Sequence, residues 1–181
     1  MTEPSGPTAP NGPGGPSRAR IRRPAPTGLI VGRFDPPHLG HSYMVEWAAT
    51  RVDRLVVFVN SRSTDAAPGP LRAGWLAELH PTVVVVEVNH DLDTNFGDPE
   101  LWDEWMALFR SRWPYTDGPH AVFSSDHYVS ELAGRFGAEA IIVDPERLAV
   151  PVSSTMIRAD PAAHVDRLAP DVRAWVEANW C

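Results

Sequence analysis

Two short segments carry residue types that together could grip a polyphosphate. The first is Gly32-Arg33-Phe34-Asp35-Pro36-Pro37-His38-Leu39-Gly40-His41. Glycine at position 32 lets the backbone come close to a ligand, and Pro36-Pro37 stiffens the loop. Gly40 and His41 fall where a helix should open, and free N–H groups and the dipole at a helix start favour an anion. Two histidines three residues apart can face one phosphate group. The second segment is Val152-Ser153-Ser154-Thr155-Met156-Ile157-Arg158. Arg158 lies one helical turn beyond Ser154 and Thr155, on the same face. Hydroxyls, helix N–H groups and one guanidinium can then hold phosphate oxygens together.

Each segment has a plainer reading. The first could be a proline turn with surface histidines, or His38 and His41 could hold zinc, although no cysteine or further clustered histidine supports a zinc site. The hydroxyl run could be no more than a helix N-cap. A P-loop is excluded, because its lysine is missing. The chain contains no lysine at all, so all 16 basic residues are arginine, and any cationic chemistry must use arginine or histidine.

The elements that would position these segments alternate. Gly28–Gly32 reads as a buried strand, followed by a helix from Gly40 to Arg51. Strands follow at Leu55–Asn60, Thr82–Val88, His120–Phe123 and Ala140–Val143, with helices between them at Leu71–Leu79, Pro99–Trp113 and Asp126–Phe136. Two short helices close the chain, near Ser153–Ala159 and Asp171–Asn179. Such alternation predicts an α/β fold: a Rossmann-like, doubly wound sheet of five parallel strands in a single domain over 27–181. Ligands in such sheets bind beyond the carboxyl ends of the strands, where the strand order reverses. Residues 1–26 are rich in proline, glycine and serine and are expected to form a disordered tail.

The chain has 181 residues and a formal net charge of -7, which argues against general affinity for nucleic acid or an anionic membrane. Cys181 is the only cysteine, so no intramolecular disulfide and no cysteine metal cluster can form. No apolar run is long enough to span a membrane, and the N-terminus lacks the order of a signal peptide. A reducing cytoplasm is the expectation.

The first segment resembles the Gly-x-Phe-x-Pro-x-His-x-Gly-His signature of the nucleotidyltransferase superfamily, which includes adenylyltransferases and cytidylyltransferases. The His-x-Gly-His of class I tRNA synthetases is a partial match, but those enzymes pair it with a lysine-rich loop. The second segment resembles the superfamily's Ile-Ser-Ser-Thr-x-Ile-Arg signature, with Val152 in place of the leading isoleucine. Between them, Trp102-Asp103-Glu104-Trp105 and Val143-Asp144-Pro145-Glu146-Arg147 are similar to segments of the NadR-type nicotinamide-nucleotide adenylyltransferases. The likeness runs from Gly28 to Val176. It does not include the helix-turn-helix or kinase domains that often accompany that group.

The resemblance implies transfer of AMP from ATP to nicotinamide mononucleotide, giving NAD and pyrophosphate. Nicotinate mononucleotide, phosphopantetheine or another phosphorylated metabolite are alternative acceptors, and a nucleotide-sensing regulator without turnover is an alternative role. The implied catalytic residues are His38, His41 and Arg158. ATP is expected on Gly32, Arg33, Phe34, Gly40, Asp126, Arg147, Ser153, Ser154 and Thr155. The acceptor is expected on Arg72 through its phosphate, on Trp102 through its ring, and on Trp105 behind it. Mg²⁺ is expected to bind through substrate phosphates, with no dedicated protein metal site. A homo-oligomer is a superfamily expectation. His80, His90, His120, His127 and His164 have no constellation around them in the sequence and read as surface or structural.

Overall fold

The computed structural model describes residues 25–94 and 97–181. Five parallel strands form one sheet: β1 (Ala25–Gly32), β2 (Val52–Ser61), β3 (Val84–Asn89), β4 (Ala121–Ser124) and β5 (Glu139–Ile142). Their order is β3-β2-β1-β4-β5, so the chain winds outward from β1 in one direction and then returns to pair β4 on its other side. Helices α1 (Leu39–Ala49), α2 (Gly69–Leu79), α3 (Pro99–Arg112) and α4 (Val129–Phe136) connect the strands. This is the doubly wound arrangement expected from strand–helix alternation.

The strands read as near-continuous apolar runs because both faces are covered. Alternate residues go to opposite layers. Leu29, Val31, Val56, Phe58 and Val122 pack with Trp105, Phe109 and Leu132 from α3 and α4. Ile30, Val57, Val59 and Phe123 pack with Val45, Ala48 and Leu76 from α1 and α2. Gly28 sits where strand and layer crowd together: a Cβ there would lie 2.8 Å from the Phe123 ring and 2.9 Å from Val52.

The ends of elements differ from the sequence reading for local reasons. β1 begins at Ala25, because the Ala25 N–H donates to the Arg51 carbonyl at 3.0 Å and the strand pairs with β2 from that residue on. Pro26 is tolerated there because pairing with β4 starts only at Gly28. The expected tail therefore loses its last two residues to the domain, and the rest of it lies outside the described residues. α4 starts at Val129 rather than Asp126, because Asp126 turns back to donate its N–H to Ser124 Oγ at 3.0 Å.

The C-terminal region holds more than the two expected helices. Asp160-Pro161 ends α5 (Ser154–Ala159) and starts α6 (Pro161–His164), with the Asp160 carboxylate accepting from the Ala163 N–H at 3.1 Å. A 3-10 turn at Val165–Arg167 leads into α7 (Pro170–Trp180). These pieces have their own core: Val152, Ile157, Leu168, Val172 and Val176 close on Ala67 and Trp75 from the α2 region. Trp175 bridges Trp75 and Trp180 at centroid separations of 5.7 Å and 5.3 Å. The segment Val152–Arg158 is thus bolted to the sheet domain through α2. No helix among the described residues is long and apolar enough to cross a membrane.

Ile157 is fully buried in this third cluster. Ile157→Ala should therefore lower the unfolding free energy by about 2–5 kcal/mol, measured by urea denaturation.

Candidate active site

A cleft opens beyond the carboxyl ends of β1 and β4, at the point where the strand order reverses. It encloses about 540 Å³ and runs into a second chamber of about 400 Å³. The two chambers share His41, Met44, Ser125, Arg147, Ser154 and Thr155 as common wall. Both of the chemistry-bearing segments therefore border the same space.

His38 and His41 are joined by more than proximity. His38 is the N-cap of α1. Its Nδ1 accepts from the His41 backbone N–H at 3.4 Å, and His41 Nδ1 accepts from the His38 backbone N–H at 3.3 Å. This is a capping box with histidine in both roles. The two rings stack at a centroid distance of 3.7 Å and 20° between planes. Because both Nδ1 atoms accept, the proton of each neutral ring sits on Nε2. Burial first, then the Arg147 charge, pushes His38 down to about 4. Burial, His38 and Arg147 push His41 well below its ordinary value. At neutral pH the pair offers neutral N–H donors rather than imidazolium charge.

Two glycines of the loop turn out to be spaces for rings. A Cβ on Gly40 would lie 3.1 Å from Cε1 and Nδ1 of His38, so the glycine makes room for the capping imidazole. A Cβ on Gly32 would lie 3.0 Å from the Phe34 ring. Phe34 is buried at φ 51 and meets the His41 ring edge-on at 4.7 Å. A bulky residue at positive φ is strained, by on the order of 1–3 kcal/mol, and its environment here holds it there.

The second segment latches onto the first. Ser154 Oγ donates to the Pro36 carbonyl at 3.0 Å. The Arg158 guanidinium donates to the Asp35 carbonyl and to Thr155 Oγ1 at 3.4 Å. Ser153 acts as the cap of α5, its Oγ accepting from the Met156 N–H at 3.2 Å. Asp35 itself is buried and accepts from the N–H groups of Ala66 and Ala67 at 3.2 Å and 2.9 Å. The sequence reading missed this anchoring role, although Asp35 lies inside the first signature.

Arg72 differs from expectation. Its side chain is fully buried and does not line the cleft. It pairs with Asp65 at 2.6 Å and donates to the carbonyls of Arg33 and Asn60. Arg33, more than half exposed, reaches the same Asp65 at 2.8 Å. Burial would raise the Asp65 pKa, but the Arg62 N–H, Arg72 and Arg33 outweigh it and hold the carboxylate below its usual range. Arg72 thus braces the Arg33 end of the loop from behind, because a buried guanidinium must be paired.

The far end of the cleft is aromatic. Trp102 and Trp105 line it, both nearly buried. Trp105 Nε1 donates to the Asp93 carbonyl at 3.0 Å, and the ring packs on Phe109 at 5.2 Å. Arg135 stands 5.0 Å from the Trp102 ring centroid. His90, read from sequence as surface or structural, belongs to this wall and meets the Trp105 ring edge-on at 4.4 Å. Asn60, Arg62 and Tyr128 line it too. Tyr128 donates to the Val31 carbonyl at 2.7 Å, and burial raises its pKa to about 12. Asn60 and His90 stand at the carboxyl ends of β2 and β3, so the strand-end rule could have found them. His80 and His120 are structural, bonded to Ser42 and Thr27.

Asp126 and Arg147 both line the cleft with exposed side chains. Arg147 also faces the second chamber and sits at φ 53 in a turn held by Asp144, whose carboxylate accepts from the N–H groups of Leu148 and Ala149.

Comparison with known proteins finds relatives of one kind. A family model described as cytidylyltransferase-like matches residues 29–73. The trifunctional NAD biosynthesis/regulator protein NadR of Escherichia coli K12 is 22% identical over 162 residues, covering 81% of this chain and 39% of that protein. The nicotinamide-nucleotide adenylyltransferase of Aeropyrum pernix is 29% identical over 159 residues, covering 82% of this chain and 89% of that protein. A crystal structure of NadR in complex with NAD and AMP-PNP superposes with a TM-score of 0.57 at 26% identity, covering 77% of this chain and 43% of that one. The chain spans less than half the length of the NadR relatives it matches.

The histidine pair has a consequence for stability. In the unfolded chain a histidine takes up its proton near pH 6.5, whereas folded His38 resists until about 4. The folded state is therefore favoured above the unfolded value, and the advantage is lost as pH falls through that window. His38 should contribute a slope of about 1.4 kcal/mol per pH unit there. Urea unfolding of wild type and His38→Asn between pH 7 and 4 should show a shallower loss in the variant.

Proposed function

We propose, from the premise that this chain is a nucleotidyltransferase resembling the NadR-type and nicotinamide-nucleotide adenylyltransferases, that it transfers AMP from ATP to nicotinamide mononucleotide, giving NAD and pyrophosphate. The observation that carries this reading is the closure of the two signatures around one cleft. The hydroxyl of Ser154 and the guanidinium of Arg158 sit on the carbonyls of the loop that presents His38 and His41.

In this reaction a phosphate oxygen of the acceptor attacks the α-phosphorus of ATP. A P–O–P bond forms there, and the bond to the β-phosphate oxygen breaks, releasing pyrophosphate. A phosphate monoester has a second pKa near about 6 and is already mostly a dianion at neutral pH, so no general base is required. The work left to the protein is alignment and charge stabilisation.

His38 and His41 donate through Nε2–H to the phosphates, with at least one aimed at the charge developing on the α-phosphate. Arg158, Ser154 and Thr155 hold the departing pyrophosphate, and Ser153 fixes the helix that carries them. Gly32, Phe34 and Gly40 shape the loop for the histidine rings. Arg147 and Asp126 border the ATP from the opposite wall. Arg33 faces the acceptor phosphate as well as the triphosphate, and Arg72 acts through Asp65 and Arg33 as a positioning residue. Trp102 offers the face for the pyridine ring, and Trp105 supports it. Mg²⁺, bound through substrate phosphate oxygens, would neutralise charge on the leaving group. Such binding asks little of the protein, and the exposed carboxylate of Asp126 is the cleft oxygen donor that would face it.

Pyrophosphate release and mass spectrometry test the reading. The chain is offered ATP or CTP with nicotinamide mononucleotide, nicotinate mononucleotide or phosphopantetheine. NAD formation from ATP and nicotinamide mononucleotide is expected to dominate. A dominant phosphopantetheine or CTP product would replace the reading, and binding of ATP without any product would make the chain a sensor. His41→Ala should lower kcat by roughly 10²–10³, as expected for loss of one aimed donor.

A further inference from the structure

We infer that Tyr128 is a positioning residue for the transfer step: through its hydroxyl and that of Ser124 it ties the Ser125-Asp126 wall of the cleft to the end of β1, and so sets the distance of that wall from the histidine pair. The inference rests on the adenylyltransferase reading above and adds to it a residue that acts through others rather than on the substrate.

The observation is a hydrogen-bonded chain at the point where the sheet splits. β1 pairs with β2 as far as Gly32, but with β4 only as far as Ile30 opposite Phe123. Beyond that rung the Val31 carbonyl accepts from the Tyr128 hydroxyl at 2.7 Å. The same hydroxyl is hydrogen-bonded to the Ser124 side chain. Ser124 Oγ in turn accepts from the Asp126 N–H at 3.0 Å. Because the phenol proton goes to Val31, the Ser124 proton goes to the phenol oxygen. Three links therefore run in one direction from Asp126 to β1, and bonds arranged in this way polarise one another.

What this chain holds is the junction between the two chambers. Ser125 borders both of them, as do His41, Arg147, Ser154 and Thr155, and Asp126 lines the larger one. Tyr128 occupies the N-cap position of α4, yet its side chain makes no cap bond to that helix. It reaches back to β1 instead. α4 itself is anchored in the core by Val129 and Leu132, both fully buried. Burial raises the Tyr128 pKa to about 12, so the hydroxyl keeps its donor proton at neutral pH.

An ATP running through the junction passes between this turn and the loop that carries His38 and His41. One wall follows β4 and the other follows β1, the two strands that Tyr128 joins beyond their last rung. A transfer whose nucleophile is already ionised depends on alignment, and a misplacement of about 1 Å can cost on the order of 100-fold. Without the phenol oxygen, the Val31 carbonyl and the Ser124 hydroxyl lose their shared partner. The Ser125-Asp126 turn is then free to shift relative to the histidines.

Tyr128→Phe and Ser124→Ala each break the chain at one link. Both should lower kcat at saturating substrates by about tenfold or more, while the Kd for α,β-methylene ATP stays at the wild-type value. Urea unfolding checks that each variant is folded under assay conditions, and Ser124→Ala carries the test if Tyr128→Phe is not. A double-mutant cycle separates alignment from a general structural loss. Tyr128→Phe should cost clearly less in a His41→Ala background than in wild type, because the donor it aligns is gone. Wild-type kcat in either folded variant, a loss confined to the Kd, or losses that multiply in full overturn the inference while leaving adenylyl transfer intact. A wild-type chain that turns over no acceptor overturns the adenylyltransferase reading, and this inference with it.

Discussion

The reciprocal cap between His38 and His41 is the interaction on which the site depends. One pair of hydrogen bonds does three things at once. It gives the His38 N–H its partner at the start of α1 and adds a ring acceptor to the His41 N–H, which also donates to the His38 carbonyl at 2.9 Å. It assigns the proton of both neutral rings to Nε2, the nitrogen not used in the cap. It also stacks the rings, so that charging one disfavours charging the other. Gly40 suits the same arrangement, because a Cβ there would press on the capping ring at 3.1 Å. The histidine–glycine–histidine spacing thus reflects a helix start as well as a ligand.

The surrounding structure keeps that start in place from several sides. Asp35 ties the loop to residues 66 and 67, Ser154 and Arg158 tie it to α5, and Arg72 with Asp65 ties it to α2. Several of these bonds end on backbone carbonyls or N–H groups, so they fix the path of the chain rather than one rotamer. Buried ion pairs are poor stabilisers in themselves. The Arg72–Asp65 pair is better understood as a device for placing Arg33 at the cleft. The C-terminal cluster around Ile157 and Trp75 extends the same bracing outward. A rigid cradle suits a reaction in which the nucleophile needs no activation and alignment is most of the work.

Much of this was legible in the sequence. Apolar runs of four to eight residues separated by amphipathic stretches specified the parallel sheet, and the two signatures marked both walls of one cleft. What escaped was tertiary. Arg72 precedes Trp75 on a helix, and nothing local says whether its guanidinium reaches solvent or Asp65. Gly32 suggested close approach to a ligand and Gly40 a helix start, whereas the nearest neighbours of both are rings of the same loop. His90 and Asn60 sit far apart in sequence and become one wall only when β2 and β3 pair. Ser153–Arg158 was readable as a helix start, but its grip on residues 35 and 36 depends on α7 folding over it.

In the ligand-free cradle at neutral pH both histidines are neutral, with the proton on Nε2. Long-range ¹H–¹⁵N correlation spectra of ¹⁵N-histidine-labelled protein at pH 7 test it directly, with His38→Gln and His41→Gln used for assignment. The account predicts an unprotonated Nδ1 and a protonated Nε2 for both rings. Imidazolium signals from both residues at that pH, or a protonated Nδ1 in either, would contradict it.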